Sequence, residues 1–169
     1  MPATYEKIAT TTLGAGAFDF TLNSIPATYT DLRLVIVGKG DGGEIYPEGY
    51  LNGVTTGGLY SNTLLQGNGT SATSGRNTGA NRLNLGAPQY PNNTNFTFIT
   101  IDLFSYAGST FKTLLTTVST DKNGTGGVAN IASLFRSTSA ITSITITDGG
   151  AAVGWAAGTT ATLYGILKA

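Results

Sequence analysis

The stretch FTFITIDLFSY, residues 96–106, is the longest apolar segment of the chain, and its reading decides the architecture. In an extended strand, successive side chains point to opposite faces. Phe96 and Phe98 then share one face, and Ile99, Ile101 and Leu103 share the other. Phe104 and Tyr106 return to the first. A sheet with one wet face alternates apolar and polar residues, and this segment does not. Either the strand is covered on both faces or it carries a bulge that resets the register. In a small sandwich, double coverage implies a second layer supplied by another subunit.

Outward from this segment, strand signals are dense. Phe18, Phe20 and Leu22 alternate with Asp19 and Thr21, the pattern of a half-buried strand. Residues 31–37 put Leu32, Leu34 and Ile36 on one face and Arg33, Val35 and Val37 on the other. Pro26 marks a strand end between them, because proline cannot donate to a ladder. Residues 45–51 and 59–66 read as weaker strands, and 82–85 and 111–119 as further ones. Asn123-Gly124 is a hairpin signal. Residues 128–136 offer a helical stripe through Val128, Ile131 and Phe135, but their surroundings favour strand or irregular structure. Thr142–Thr147 and Thr159–Leu167 alternate cleanly. Eight to ten short strands, no convincing helix and no internal repeat point to one all-β domain over 1–169. Its expected form is a β-sandwich or jelly roll with long Gly/Asn/Thr/Ser-rich loops.

Composition narrows the function classes. The 169 residues include nine Lys and Arg and nine Asp and Glu, and charged residues make up 11%, against roughly 25% in an average soluble protein. A net charge of zero argues against a nucleic-acid partner. It also lets many copies pack closely without self-repulsion. No segment has the roughly 18 apolar residues of a membrane span, and the N-terminal MPATYEKIATTTL has no apolar core of a secretory signal. Cysteine and histidine are absent, which excludes disulfides, thiol nucleophiles, histidine bases and Cys/His zinc sites. The sequons at Asn68, Asn92, Asn95 and Asn123 are chance products of an Asn/Thr-rich chain.

Each candidate site also has a plainer reading. Residues 67–82 are Gly, Asn, Thr, Ser and Ala plus Arg76 and Arg82. They lack the G-x-x-x-x-G-K-[ST] spacing, and no helix follows to face a phosphate. They read as a long, nearly uncharged loop that orders only when Arg76 or Arg82 meets a neighbour; the plain alternative is a solvated loop. Asp41, Asp121 and Asp148 sit in turns, where Asx side chains bond their own backbone. Asp102 lies inside the aromatic strand and needs a partner such as an arginine. Residues 121–124 partly match a calcium loop but lack its terminal Glu. No catalytic, cofactor or metal residues are therefore assigned. Tyr46, Tyr50, Tyr60, Tyr90 and Trp155 are aromatics near loops that could stack on sugars or anchor a subunit contact. Trp155 is the best single anchor, its alternative being a core tryptophan.

The two ends of the chain carry a recognisable pattern. "ATYEKIATTTLG" and "SIPATYTDLRLVI" open it, "GNGTSATSGRNTG" lies between, and "SAITSITITD" and "TATLYGI" close it. The chain resembles a family of tailed-phage virion proteins found in phages of aquatic bacteria, including cyanophages. The resemblance spans nearly the whole length and rests on structural motifs without catalytic residues. It implies a jelly-roll-like β fold on the exterior of the virion, and for some such proteins a trimeric capsid cement (decoration) role. The expected partners are then the major capsid protein and further copies of the chain, as a homotrimer. Candidate contacts are Arg76, Arg82, Tyr90, Phe104, Tyr106 and Trp155. The alternative is a tail-fibre or spike component, or a carbohydrate-binding host-recognition module, with a glycan as ligand in that case alone. A carboxylate-based glycan hydrolase is the remaining alternative.

Overall fold

The computed structural model describes residues 5–86, 91–92, 94–150 and 153–167. The described residues form twelve strands: β1 (Tyr5–Thr12), β2 (Asp19–Leu22), β3 (Asp31–Gly38), β4 (Pro47–Leu51), β5 (Tyr60–Gly67) and β6 (Ala72–Ala80), then β7 (Leu83–Asn84), β8 (Thr97–Phe104), β9 (Lys112–Asp121), β10 (Gly126–Phe135), β11 (Ile144–Asp148) and β12 (Thr160–Ile166). Two antiparallel sheets result. The large one has the order β1-β12-β3-β8-β9-β10-β5-β6, and the small one β2-β11-β4-β7. They stack as a β-sandwich, as the alternating pattern predicts. Proline at the start of β4 is tolerated because the first residue of a strand can lack a ladder donor.

The central strand of the large sheet is β8, and its two faces differ. Ile99, Ile101 and Leu103 are buried, whereas Phe98 and Phe104 are 47% and 43% exposed. β8 pairs with β3 and β9 without a register shift. No bulge therefore resolves the two-sided apolar pattern, and the described residues do not cover the second face. The alternation ends at Ser105, which takes φ 47°, in the left-handed region that non-glycine residues seldom adopt. That turn rotates Tyr106 inward. Its ring is fully buried, its hydroxyl donates to the Pro26 carbonyl, and it accepts the Tyr29 N–H at 3.3 Å. Tyr106 is thus a core residue, which corrects its reading as a partner contact.

Residues 67–82 are not a loop. They fold back on β5 as β6, with pairs running from Gly67–Ala72 to Tyr60–Ala80. The reversal is made by Asn68, whose Oδ1 accepts the N–H groups of Thr70 and Ser71 at 3.0 and 2.9 Å. An Asx turn therefore sets the register of a strand whose composition reads as irregular. Residues 128–136 lie mostly in strand β10, so the helical stripe is coincidental. Asn123 and Gly124 take φ 55° and 109° in the turn between β9 and β10, as their hairpin signal predicts.

The core lies between the sheets and includes Leu34, Ile36, Ile99, Ile101, Ile131, Ile146 and Leu163. Trp155 is fully buried, pairs its backbone with Ala17 and Gly40, and packs edge-on against Phe20 at 5.9 Å. It fills space that Gly38 leaves open, since a Cβ on Gly38 would come within 2.9 Å of the indole. Trp155 is therefore a core tryptophan and cannot anchor a partner. The Tyr29 ring lies over Gly165, where an added Cβ would meet it at 2.3 Å. Two of the terminal motifs, SIPATYTDLRLVI and TATLYGI, thus meet in one packing contact.

Candidate functional site: the outward face of the large sheet

Strand register assigns the outward side chains. One row crosses the sheet through Thr160, Val37, Phe98, Ser119 and Val128. The next runs through Thr162, Val35, Thr100, Thr117, Asn130, Leu65 and Ser74. A third contains Tyr164, Arg33, Asp102, Leu115, Ala132, Thr63 and Arg76. The last pairs Phe104 with Thr113 and Leu134. Of eleven exposed large hydrophobic residues among the described ones, seven lie on this face: Tyr5, Val37, Leu65, Phe98, Phe104, Leu115 and Val128.

Charge on this face is nearly cancelled. Arg33 and Asp102 are neighbours across β3 and β8 and form a two-pronged ion pair, Nε–Oδ1 2.6 Å and Nη2–Oδ2 2.8 Å. The arginine that Asp102 requires is therefore supplied by the adjacent strand. Hydrogen bonding to Asp102, set against partial desolvation, raises the Arg33 pKa above its ordinary value. The guanidinium also lies 5.7 Å from the Tyr5 ring, and Tyr5 meets Tyr164 edge-on at 6.2 Å. Asp31, at the end of β3, accepts the Ser105 N–H at 2.7 Å. Lys7 and Arg76 lie on the two edge strands. Apart from the Arg33–Asp102 pair, the inner strands present mainly Thr, Ser, Val, Leu and Phe, with Asn130 and Ala132.

The sequence-derived contact residues divide accordingly. Phe104 stands on the face. Arg76 is exposed on its edge strand, opposite Thr63, with no carboxylate partner among the described residues. Arg82 lies elsewhere and pairs within the chain, its Nη1 3.0 Å from Glu48 Oε2. That pairing corrects its reading as a group awaiting a neighbour. Tyr106 and Trp155 belong to the core, and Tyr90 lies outside the described residues. Of the aromatics proposed as sugar platforms, Tyr60 is also buried. It stacks on Phe135 at 4.7 Å, and burial pushes its phenol up to about 12. Val37, Leu65, Leu115 and Val128 were missed. The adjacent Leu114-Leu115 pair within an alternating strand was the available signal, since one of two successive leucines must point outward.

Two buried polar groups serve the fold. Burial tends to raise the Asp148 carboxyl, but four backbone N–H groups, from Tyr46, Gly154, Gly150 and Val153, outweigh that and hold it below the usual carboxylate value. Lys112 is fully buried with its ammonium on the carbonyls of Gly108 and Thr110, and burial lowers its pKa. Among the described residues no three His, Cys, Asp or Glu side chains gather as a metal site, and no helix is long and apolar enough to cross a membrane. No protein-family model, no curated protein and no solved structure matches the chain.

Proposed function

We propose that the chain is a structural protein of a phage particle, a capsid cement (decoration) protein that sits as a homotrimer on the outside of the shell. Its partners are the major capsid protein and further copies of itself, and its work is binding without catalysis. The observation that carries this reading is the outward face of the large sheet. An apolar patch beyond a few hundred Å² marks an interaction surface. The whole face, its polar residues included, has eight strands about 4.8 Å apart with about four outward residues each at about 6.8 Å spacing, and so spans roughly 700–1,000 Å². A stable interface needs about 800 Å² from each partner. The Arg33–Asp102 pair cancels its own charge inside the face, so burial of the centre leaves no ion unpaired there.

A protein that binds the assembled lattice and not the free subunit shifts the equilibrium toward the lattice by mass action. A trimer presents three copies of each contact, so weak contacts multiply through effective concentration. Quantifying and labelling the chain on intact particles tests the proposal. Hundreds of copies over the head, with shells that open at lower temperature once the chain is stripped, are expected. A few copies confined to the tail would overturn the cement reading in favour of a tail component.

A further inference from the structure

A second surface differs in kind from the apolar face. β7 is the edge of the small sheet, while β5 and β6 extend the large sheet. Every residue of β6 is exposed or half-buried, so the small sheet does not cover its inward side. The recess beneath this overhang has a volume of about 350 Å³. Two cross-strand pairs help to line it, Asn62–Asn77 of β5 and β6 and Glu48–Asn84 of β4 and β7. Asn81 and Arg82, on the segment joining β6 to β7, complete the wall.

The floor is rigid. Asn62 is buried; its Oδ1 accepts the Asn84 N–H at 3.2 Å and the Ser133 hydroxyl at 2.8 Å, and its Nδ2 donates to the Arg82 carbonyl at 3.2 Å. The amide oxygens of Asn81 and Asn84 are occupied by the N–H groups of Gly58 and Gly86, at 3.0 and 2.9 Å. Those bonds orient both side chains and leave their NH₂ groups unused. Among the described residues the Asn77 amide makes no hydrogen bond at either end. Glu48 spends one oxygen on Arg82 and keeps the other.

The recess therefore offers several unused donors and a smaller number of acceptors, on strands β4 to β7 and the short segment between β6 and β7, and its one carboxylate and one guanidinium cancel. A hydroxyl both donates and accepts, so a neutral, polyhydroxylated molecule complements this lining. A phosphate or acidic sugar would meet Glu48. We propose that this cleft binds a neutral saccharide unit. The inference concerns a site outside the apolar face and stands whether or not the chain is a cement protein. The volume lies at the small end of ligand sites, about 300–1,000 Å³, which suits one or two sugar rings. Among the described residues no aromatic side chain lines the cleft, so single-site affinity should be weak, with Kd on the order of 1 mM.

NMR titration of the full chain with the methyl glycosides of glucose, galactose, mannose, rhamnose and N-acetylglucosamine tests this. At least one should give saturable shifts centred on Asn77, Asn81 and Asn84. Asn77→Ala, at an exposed position without internal bonds, should weaken that binding about tenfold, the scale of one lost hydrogen bond, and leave the melting temperature unchanged. No saturable response to any of the five glycosides overturns the inference. A response that survives Asn77→Ala unchanged, or tighter binding of inorganic phosphate than of any glycoside, does so too.

Discussion

The two outward faces of the sandwich were made by the same alternation and differ in composition. On the small sheet the outward positions are Asp19 and Thr21 of β2, Glu48 and Tyr50 of β4, Asn84 of β7, and Thr145 and Thr147 of β11. These are mostly polar residues, as expected of the outer face of an antiparallel sheet, although Thr145 and Thr147 on the central strand β11 are themselves buried among their neighbours. On the large sheet the outward positions include Phe98, Phe104, Leu115, Leu65, Val37 and Val128, separated by threonines. One ion pair inside the face cancels its own charge. Hydrophobic pattern specifies which face of a strand is covered. Applied to both sheets, that rule gives the small sheet one covered face and the large sheet two. The described residues cover only one of the large sheet's two apolar faces.

The largest expected effect comes from the face already covered. Ile101→Ala removes a fully packed side chain from the inward side of β8 and should cost about 2–5 kcal/mol in denaturant unfolding of the isolated chain. A cost below 1 kcal/mol would break the distinction between the faces. Asp148→Asn should cost about 1.5–3 kcal/mol, because it removes the charge that four backbone N–H groups point at. The sign with pH follows from its depressed carboxyl. The Asp148 contribution is present above the unfolded value, near 3.9 for aspartate, and is lost as pH falls through the lower folded value. The asparagine variant should therefore lose less stability on acidification than the parent.

Gly165→Ala places a methyl group inside the Tyr29 ring contact and should cost about 1–3 kcal/mol through overpacking. If the melting temperature does not move, the two terminal motifs are not held together by this contact. The smallest effect belongs to the uncovered face. Phe98→Ser should change the unfolding free energy of the isolated chain by no more than about 0.5 kcal/mol, although it lies on the same strand as Ile101. It should nonetheless weaken assembly, which separates the two faces by readout as well as by size.

The sequence made the strands and the unusual face legible where residues alternate over several positions, as in β3, β8 and β12. Three features were hidden, each for a physical reason. The β6 strand has Gly, Ser, Thr and Asn in place of β-formers, and its extended state comes from pairing with β5, because strand propensity depends on context. Tyr106 changes sides because one residue, Ser105, takes a positive φ, which no alternation pattern contains. Trp155 is flanked by small residues that suggest an exposed anchor, but glycine at position 38, far away in sequence, makes room for it. Arg82 finds its carboxylate on β4, a pairing that chain order alone does not indicate. The cleft was hidden for a similar reason, since Glu48, Asn62, Asn77 and Asn84 come together only when the chain passes from one sheet to the other.

If the proposed function holds, the outward face of the large sheet is covered in the assembled state. Side-chain footprinting of the dilute isolated chain and of the chain on particles measures this directly. Phe98, Phe104 and Leu115 should lose labelling several-fold on assembly. Phe18 and Tyr46, which are equally exposed but lie off the face, should keep theirs. Equal labelling of Phe98, Phe104 and Leu115 in both states would contradict the account.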